Sequence, residues 1–170
     1  LTTLLATGAQ PDSPSRLAWI GLGANLGDAA DTLRAALAAL RATTGLADVV
    51  ASPFYRSAPV DAQGPVFVNA VARLRSTLAP IALLDVLQDI ELRHGRERPY
   101  RNAPRTLDLD LLRVDGVDMD TPRLTLPHPR LHQRAFVLRP LQDLNPELIL
   151  PQGSFEALLA ACADQAIERL

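Results

Sequence analysis

Val66-Phe67-Val68-Asn69-Ala70-Val71-Ala72-Arg73-Leu74-Arg75 alternates along its whole length, and a period of two is that of a β-strand. Val66, Val68, Ala70, Ala72 and Leu74 fall on one face. Phe67, Asn69, Val71 and Arg73 fall on the other. Downstream, Pro80 opens a helix whose apolar stripe is Ile81, Leu84, Leu87 and Ile90, and Gly95 closes it. An arginine-rich loop follows, then a strand over 106–114, with Asp115-Gly116 as a hairpin turn. Upstream, 58–65 carries two prolines and a glycine and reads as a loop, and 49–57 reads as one strand. Before that, 28–42 has Leu33, Leu37 and Leu40 at helical spacing, Asn25 or Asp28 to cap it and Gly45 to stop it. The short apolar run 17–22 is a buried strand.

The resulting order, β-α-β-β-α-β, predicts an α+β fold with a ferredoxin-like core, an antiparallel sheet covered by helices. The tail 155–170 is expected to add a C-terminal helix packed by Phe155, Leu158, Leu159 and Ile167. No internal repeat is visible. Residues 1–16, rich in Pro, Ser and Gly toward their end, read as a loosely ordered N-terminal extension, leaving 17–170 as a single domain.

Composition narrows the function. At 170 residues, 48% hydrophobic and a net charge of −2, the chain has the profile of a soluble globular domain. Its lone cysteine, Cys162, excludes an internal disulfide framework and any multi-cysteine metal site, and fits a cytoplasmic location. No apolar run is long enough for a membrane span, and the mildly apolar start lacks the basic residue that precedes a secretory signal. All 17 basic residues are arginine, so the phosphate loop that needs its lysine is excluded, as is Schiff-base chemistry. Between Arg93 and Arg105 stand five arginines and one acid, Glu97. A local positive patch on an acidic protein points to an anionic ligand rather than to nucleic acid.

Beside that patch lies Pro104-Arg105-Thr106-Leu107-Asp108-Leu109-Asp110. On a strand, Asp108 and Asp110 point to the same side, about 7 Å apart at Cα. Two such carboxylates repel, and a hard divalent cation is one compensation. Two cations bridged by them suit in-line displacement at phosphorus. An edge strand showing aspartates to water, or pairing them with arginine, is the other reading. Arg96, Arg98, Arg101 and Arg105 just upstream favour the first, because guanidinium forks bind phosphate oxygens bidentately.

Gly21-Leu22-Gly23-Ala24-Asn25-Leu26-Gly27 sits between a strand and a helix. Gly27 comes one residue too late for a dinucleotide fingerprint, which leaves a tight turn capped by Asn25 or a close backbone approach to a ligand. Farther on, His128 stands between two prolines, which stiffen the loop around a positioned polar group.

Together these segments resemble the 6-hydroxymethyl-7,8-dihydropterin pyrophosphokinase family over residues 18–151. The resemblance rests on Gly23 and Asn25, Phe54-Tyr55-Arg56-Ser57, Phe67-Val68-Asn69-Ala70, Ile90-Glu91, Gly95-Arg96-Glu97-Arg98, Pro104 to Asp110, Leu124-Thr125-Leu126-Pro127-His128 and Arg134-Ala135-Phe136. It implies transfer of pyrophosphate from ATP to a pterin alcohol in folate biosynthesis, with AMP released. It also implies Asp108 and Asp110 as ligands of two Mg2+, with Arg96 and Arg105 beside them as catalytic residues. Arg96, Arg98, Arg101, Arg105, His128 and Arg134 would hold ATP, with Gln88, Glu91, Arg123 and Thr125 near its base, sugar or phosphates. Gly23, Asn25, Ser57, Ala58, Val60, Phe67, Asn69 and Phe136 would form the pterin site. A monomer is expected, with no nucleic-acid or membrane partner. Three positions depart from the family's better-studied members. Asn102-Ala103 stands in place of Trp-Gly, Phe67 in place of Tyr, and Pro129 where an aromatic is common.

Overall fold

In the computed structural model, which describes residues 14–58, 65–94 and 106–170, the alternating segment is the central strand of a sheet. The chain runs β1 (Arg16–Ala24), α1 (Ala29–Arg41), β2 (Leu46–Ala51), β3 (Tyr55–Ser57), β4 (Phe67–Ser76), α2 (Pro80–Arg93), β5 (Asp108–Val114), β6 (Met119–Asp120) and β7 (Thr125–Leu126). A 3-10 turn at Leu131–Gln133, α3 (Ala135–Leu144), α4 (Phe155–Ala161) and β8 (Ile167–Arg169) complete it. The main sheet has the order β5-β1-β4-β3-β8, with β2 also on β4. Its pairings are antiparallel. Taking β2 and β3 as halves of one broken strand, the core is the ferredoxin-like arrangement that the element order implied.

Alternation on the strands sorts the core into two layers. Ile20 and Leu22 of β1, Ala70, Ala72 and Leu74 of β4 and Leu109 and Leu111 of β5 pack under Leu33, Leu37 and Leu40 of α1 and Leu83, Leu87 and Ile90 of α2. On the other face, Trp19, Val71 and Leu112 pack with Val137, Leu138 and Leu141 of α3 and Phe155 and Leu158 of α4. One half of this second face is therefore a packed core. The other half, toward the ends of β1 and β5 that carry Gly23 and Asp108, is a pocket.

Local chemistry explains the boundaries. Asp28, not Asn25, caps α1: its Oδ1 accepts the Asp31 amide at 3.1 Å. Pro80 takes the first turn of α2, where its missing N–H costs nothing. The strand expected over 49–57 is two strands, because Pro53 has no amide to give to the ladder. Ser52 bridges the break. Its amide donates to Val71 O at 2.8 Å, and its hydroxyl accepts the Val71 amide at 3.0 Å.

Two further expectations change. Gly116, at φ 73°, makes a turn, but it leads to β6, which pairs with β7 rather than folding back on β5. The terminal helix stops at Ala161, and Ile167 lies instead on β8, opposite Ser57 of β3. Of the N-terminal extension, residues 1–13 lie outside the described residues, and Arg16 already belongs to β1. Among the described residues no helix is long and apolar enough to cross a membrane.

Candidate active site

The pocket is built on rows of residues that face one another across the sheet. Asp108 of β5 lies opposite Gly23 of β1, Gly23 opposite Asn69 of β4, and Asn69 opposite Tyr55 of β3. One step along, Asp110 lies opposite Gly21 and Gly21 opposite Val71. The two carboxylates thus share a face, as their spacing implied, and each looks across a glycine. A side chain at either glycine would occupy the floor between the aspartates and Asn69. At Gly23 a Cβ would come to 3.1 Å from Asn69 Oδ1.

The space above this floor measures about 380 Å³, within the range of small-molecule sites. Phe67, Asn69, Asp108 and Asp110 line it from the sheet, and Arg134 and Phe136 line it from the segment that folds over them. Asn69 is almost fully buried, and its Nδ2 donates to Ser57 Oγ at 2.6 Å, which fixes the orientation of the amide. The Arg134 guanidinium sits 5.6 Å from the centre of the Phe136 ring. Flat apolar rings, an oriented amide, a paired carboxylate edge and a cation therefore surround one volume.

His128 stands close enough to feel this edge. Burial pushes its pKa below the ordinary imidazole value, the Asp110 charge pulls it up, and Arg134 and Arg130 push it down. The net lowering favours the neutral ring. Its Nδ1 accepts the Arg130 amide at 3.1 Å, which assigns the remaining proton to Nε2, a donor for an anionic ligand.

Several of the described residues picked out in the sequence lie outside the pocket lining. Glu91 is buried in α2, where its Oε2 accepts the Leu109 amide at 3.2 Å and so braces β5 between the two aspartates. Arg123 reaches Asp85, and Gln88 Oε1 at 3.1 Å, forming a surface cluster beside α2. Thr125 lies on β7 and Asn25 in the turn after β1. Ala58 joins the lining. Val60, Arg96, Arg98, Arg101, Asn102 and Arg105 lie outside the described residues.

The pocket also gathers Arg130, Gln133, Val137 and Gln165, which carry no motif, and Gly21, named in the sequence only as part of the glycine-rich stretch before α1. Gly21 was within reach, since it shares a strand face with Gly23. Arg130 and Gln133 fall between His128 and Arg134, and that proximity is the one signal that could have found them. Gln165 had no sequence signal.

The carboxylates can be tested against the metal that such a pair suggests. Among the described residues no group of three or more His, Cys, Asp or Glu side chains converges as a metal cage. Magnesium needs none. It keeps waters and is held by one or two carboxylates together with substrate phosphates, so Asp108 and Asp110 on one open face fit it.

Residues 19–146 match the family model described as 7,8-dihydro-6-hydroxymethylpterin-pyrophosphokinase. The chain is 48% identical over 154 residues to the 2-amino-4-hydroxy-6-hydroxymethyldihydropteridine pyrophosphokinase of Pseudomonas aeruginosa, covering 89% of this chain and 95% of that one. It is 43% identical to the protein of the same name from Haemophilus influenzae, covering 80% and 86%. Among solved structures, an HPPK-DHPS in complex with substrates superposes with a TM-score of 0.72 at 12% identity, over 89% of this chain and 44% of that one. Wild-type Plasmodium falciparum HPPK-DHPS with pterin and p-hydroxybenzoate gives 0.68 at 13% identity, over 89% and 44%. The chain spans under half the length of those two-part proteins, and at such identity the likeness speaks for the fold.

Proposed function

The chain belongs to the 7,8-dihydro-6-hydroxymethylpterin-pyrophosphokinase family, and from that premise we propose that its pocket holds a reduced pterin against Asp108 and Asp110 for attack on ATP. The activity that family membership carries is pyrophosphoryl transfer to hydroxymethyl-dihydropterin, a step of folate biosynthesis. The observation that carries the site assignment is the row Asp108–Gly23–Asn69, which puts a carboxylate and a buried, oriented amide on opposite sides of one glycine.

In this reading the flat pterin ring lies between Phe67 and Phe136. Asn69 hydrogen-bonds its edge, with Ser57 and Ala58 beside it, and Gly21 and Gly23 leave it room. Val60 and Asn25 complete the pterin side. That orientation aims the exocyclic hydroxymethyl group toward the carboxylate edge.

ATP lies along Asp108 and Asp110, its phosphates held by Arg134 and His128 and by Arg96, Arg98, Arg101 and Arg105. Gln88, Arg123 and Thr125 lie near its base, sugar or phosphates, and Glu91, buried, acts on that side through the Leu109 amide it accepts. Asp108 and Asp110 are the residues that would hold two Mg2+. The chemistry a metal would supply there is neutralisation of charge on the transferred group. The hydroxymethyl oxygen forms its bond to the β-phosphorus, the bond from that phosphorus to the α,β-bridging oxygen breaks, AMP leaves with that oxygen, and the hydroxyl proton passes to water. With no covalent intermediate, positioning and electrostatics supply the rate.

The test is the identity of the released nucleotide. Protein, ATP, magnesium and hydroxymethyl-dihydropterin are expected to yield AMP and a pterin diphosphate. ADP would instead mark a single-phosphoryl kinase, and neither product would leave only a binding module.

A further inference from the structure

Gln165 lies in the C-terminal segment, beyond the residues 19–146 that match the family model, yet it lines the pocket. Its side chain makes two hydrogen bonds to backbone 30 and 32 residues earlier in the chain. Oε1 accepts the Ala135 amide at 2.9 Å, and Nε2 donates to the Gln133 carbonyl at 2.9 Å. One primary amide therefore brackets Arg134, taking the carbonyl before it and the N–H after it, much as a neighbouring strand would.

This contact sits where α3 lacks its usual cap. Arg134 is the N-cap residue, in extended conformation at φ −124° and ψ 114°, and makes no side-chain capping bond of its own. The first amides of a helix need an outside acceptor, and Gln165 supplies one. Gln165 is itself held by its amide to Cys162 O at 2.9 Å, and two residues later β8 pairs with β3. That strand carries Ser57, the acceptor of the Asn69 amide. The C-terminal segment thus touches both walls of the pocket: Arg134 and Phe136 through Gln165, Asn69 through β3.

We propose that Gln165 is a positioning residue, which sets the Arg134–Phe136 wall and thereby the fit of the pterin. The proposal rests on the pterin reading of the pocket. A glutamate at this position keeps the acceptor for the Ala135 amide but loses the donor to Gln133, whereas a leucine keeps the bulk and loses both bonds.

The test compares full-length wild type, Gln165→Glu and Gln165→Leu in steady-state kinetics and in hydrogen exchange at the Ala135 amide. Gln165→Leu is expected to raise KM for hydroxymethyl-dihydropterin about tenfold with KM for ATP within about twofold, and to speed exchange at Ala135. Gln165→Glu is expected to recover part of both effects. A substitution that only loosened the fold would lower kcat or move both KM values together, and the glutamate would not rescue. That pattern, or an unchanged pterin KM, overturns the proposal. If wild type releases no AMP, the pterin reading fails by itself. Exchange at Ala135 then still reports whether Gln165 holds the wall, and unaltered exchange in the leucine variant overturns that too.

Discussion

Gly23 and Asn69 face each other across β1 and β4, so closely that a methyl group on Gly23 would reach 3.1 Å from the Asn69 amide oxygen. The space that glycine leaves empty is the floor of the pocket. Gly23 is here for what a side chain would fill, since it is not among the glycines with positive φ.

Gly23→Ala therefore tests the floor. Asn69 is pinned by Ser57 and has little freedom to move aside. The variant should fold, with KM for the pterin raised about tenfold and KM for ATP changed far less. Steady-state kinetics in each substrate separates the two.

The bond from Asn69 to Ser57 is buried on both sides. Ser57→Ala leaves an amide N–H without its acceptor, which costs about 1–3 kcal/mol. Urea unfolding should show that loss in the midpoint with an unchanged slope. Pterin binding should weaken with it, because the amide is no longer held in one orientation.

Behind the pocket, Tyr55 donates its hydroxyl to Asp143, tying β3 to α3. Burial, then that hydrogen bond and the Asp143 charge, raise the Tyr55 pKa to about 12 from 10.0. A phenol whose folded pKa is raised stabilises the fold fully below the unfolded value and loses that contribution as pH rises toward the folded one. Wild type should accordingly lose stability between pH 10 and 12, a loss absent from Tyr55→Phe. At neutral pH the same variant should be less stable by about 1 kcal/mol. Unfolding midpoints across the alkaline range measure both.

How far the sequence reached depended on how local each signal was. The 66–75 strand, the leucine spacing of α1 and the Pro80 start of α2 are local patterns, and the structure bears them out. The break at Pro53 was legible as a missing N–H, but not that Ser52 would repair it by reaching Val71. Ile167 looked like part of a helix because it is apolar. It became a strand through pairing with Ser57, a partner 110 residues earlier that no local pattern names. The aspartate face followed from a period of two. That glycines stand opposite those aspartates is a matter of register between β1 and β5, which only the folded sheet supplies. Gln165 belongs to the same class: a side chain that caps a helix 30 residues away leaves no trace in spacing.

In the proposed reaction the Asp108–Asp110 face does the transfer while Asn69 and the two rings do the recognition. Asp110→Asn separates these most directly, because Asp110 is exposed at the pocket edge and its replacement leaves both cores untouched. In that variant, AMP formation from ATP and hydroxymethyl-dihydropterin is measured beside pterin binding and thermal unfolding. Magnesium-dependent AMP formation is expected to fall about a thousandfold or more, with pterin binding and the unfolding midpoint retained. AMP formation within about tenfold of wild type would show that this carboxylate face does not carry the transfer.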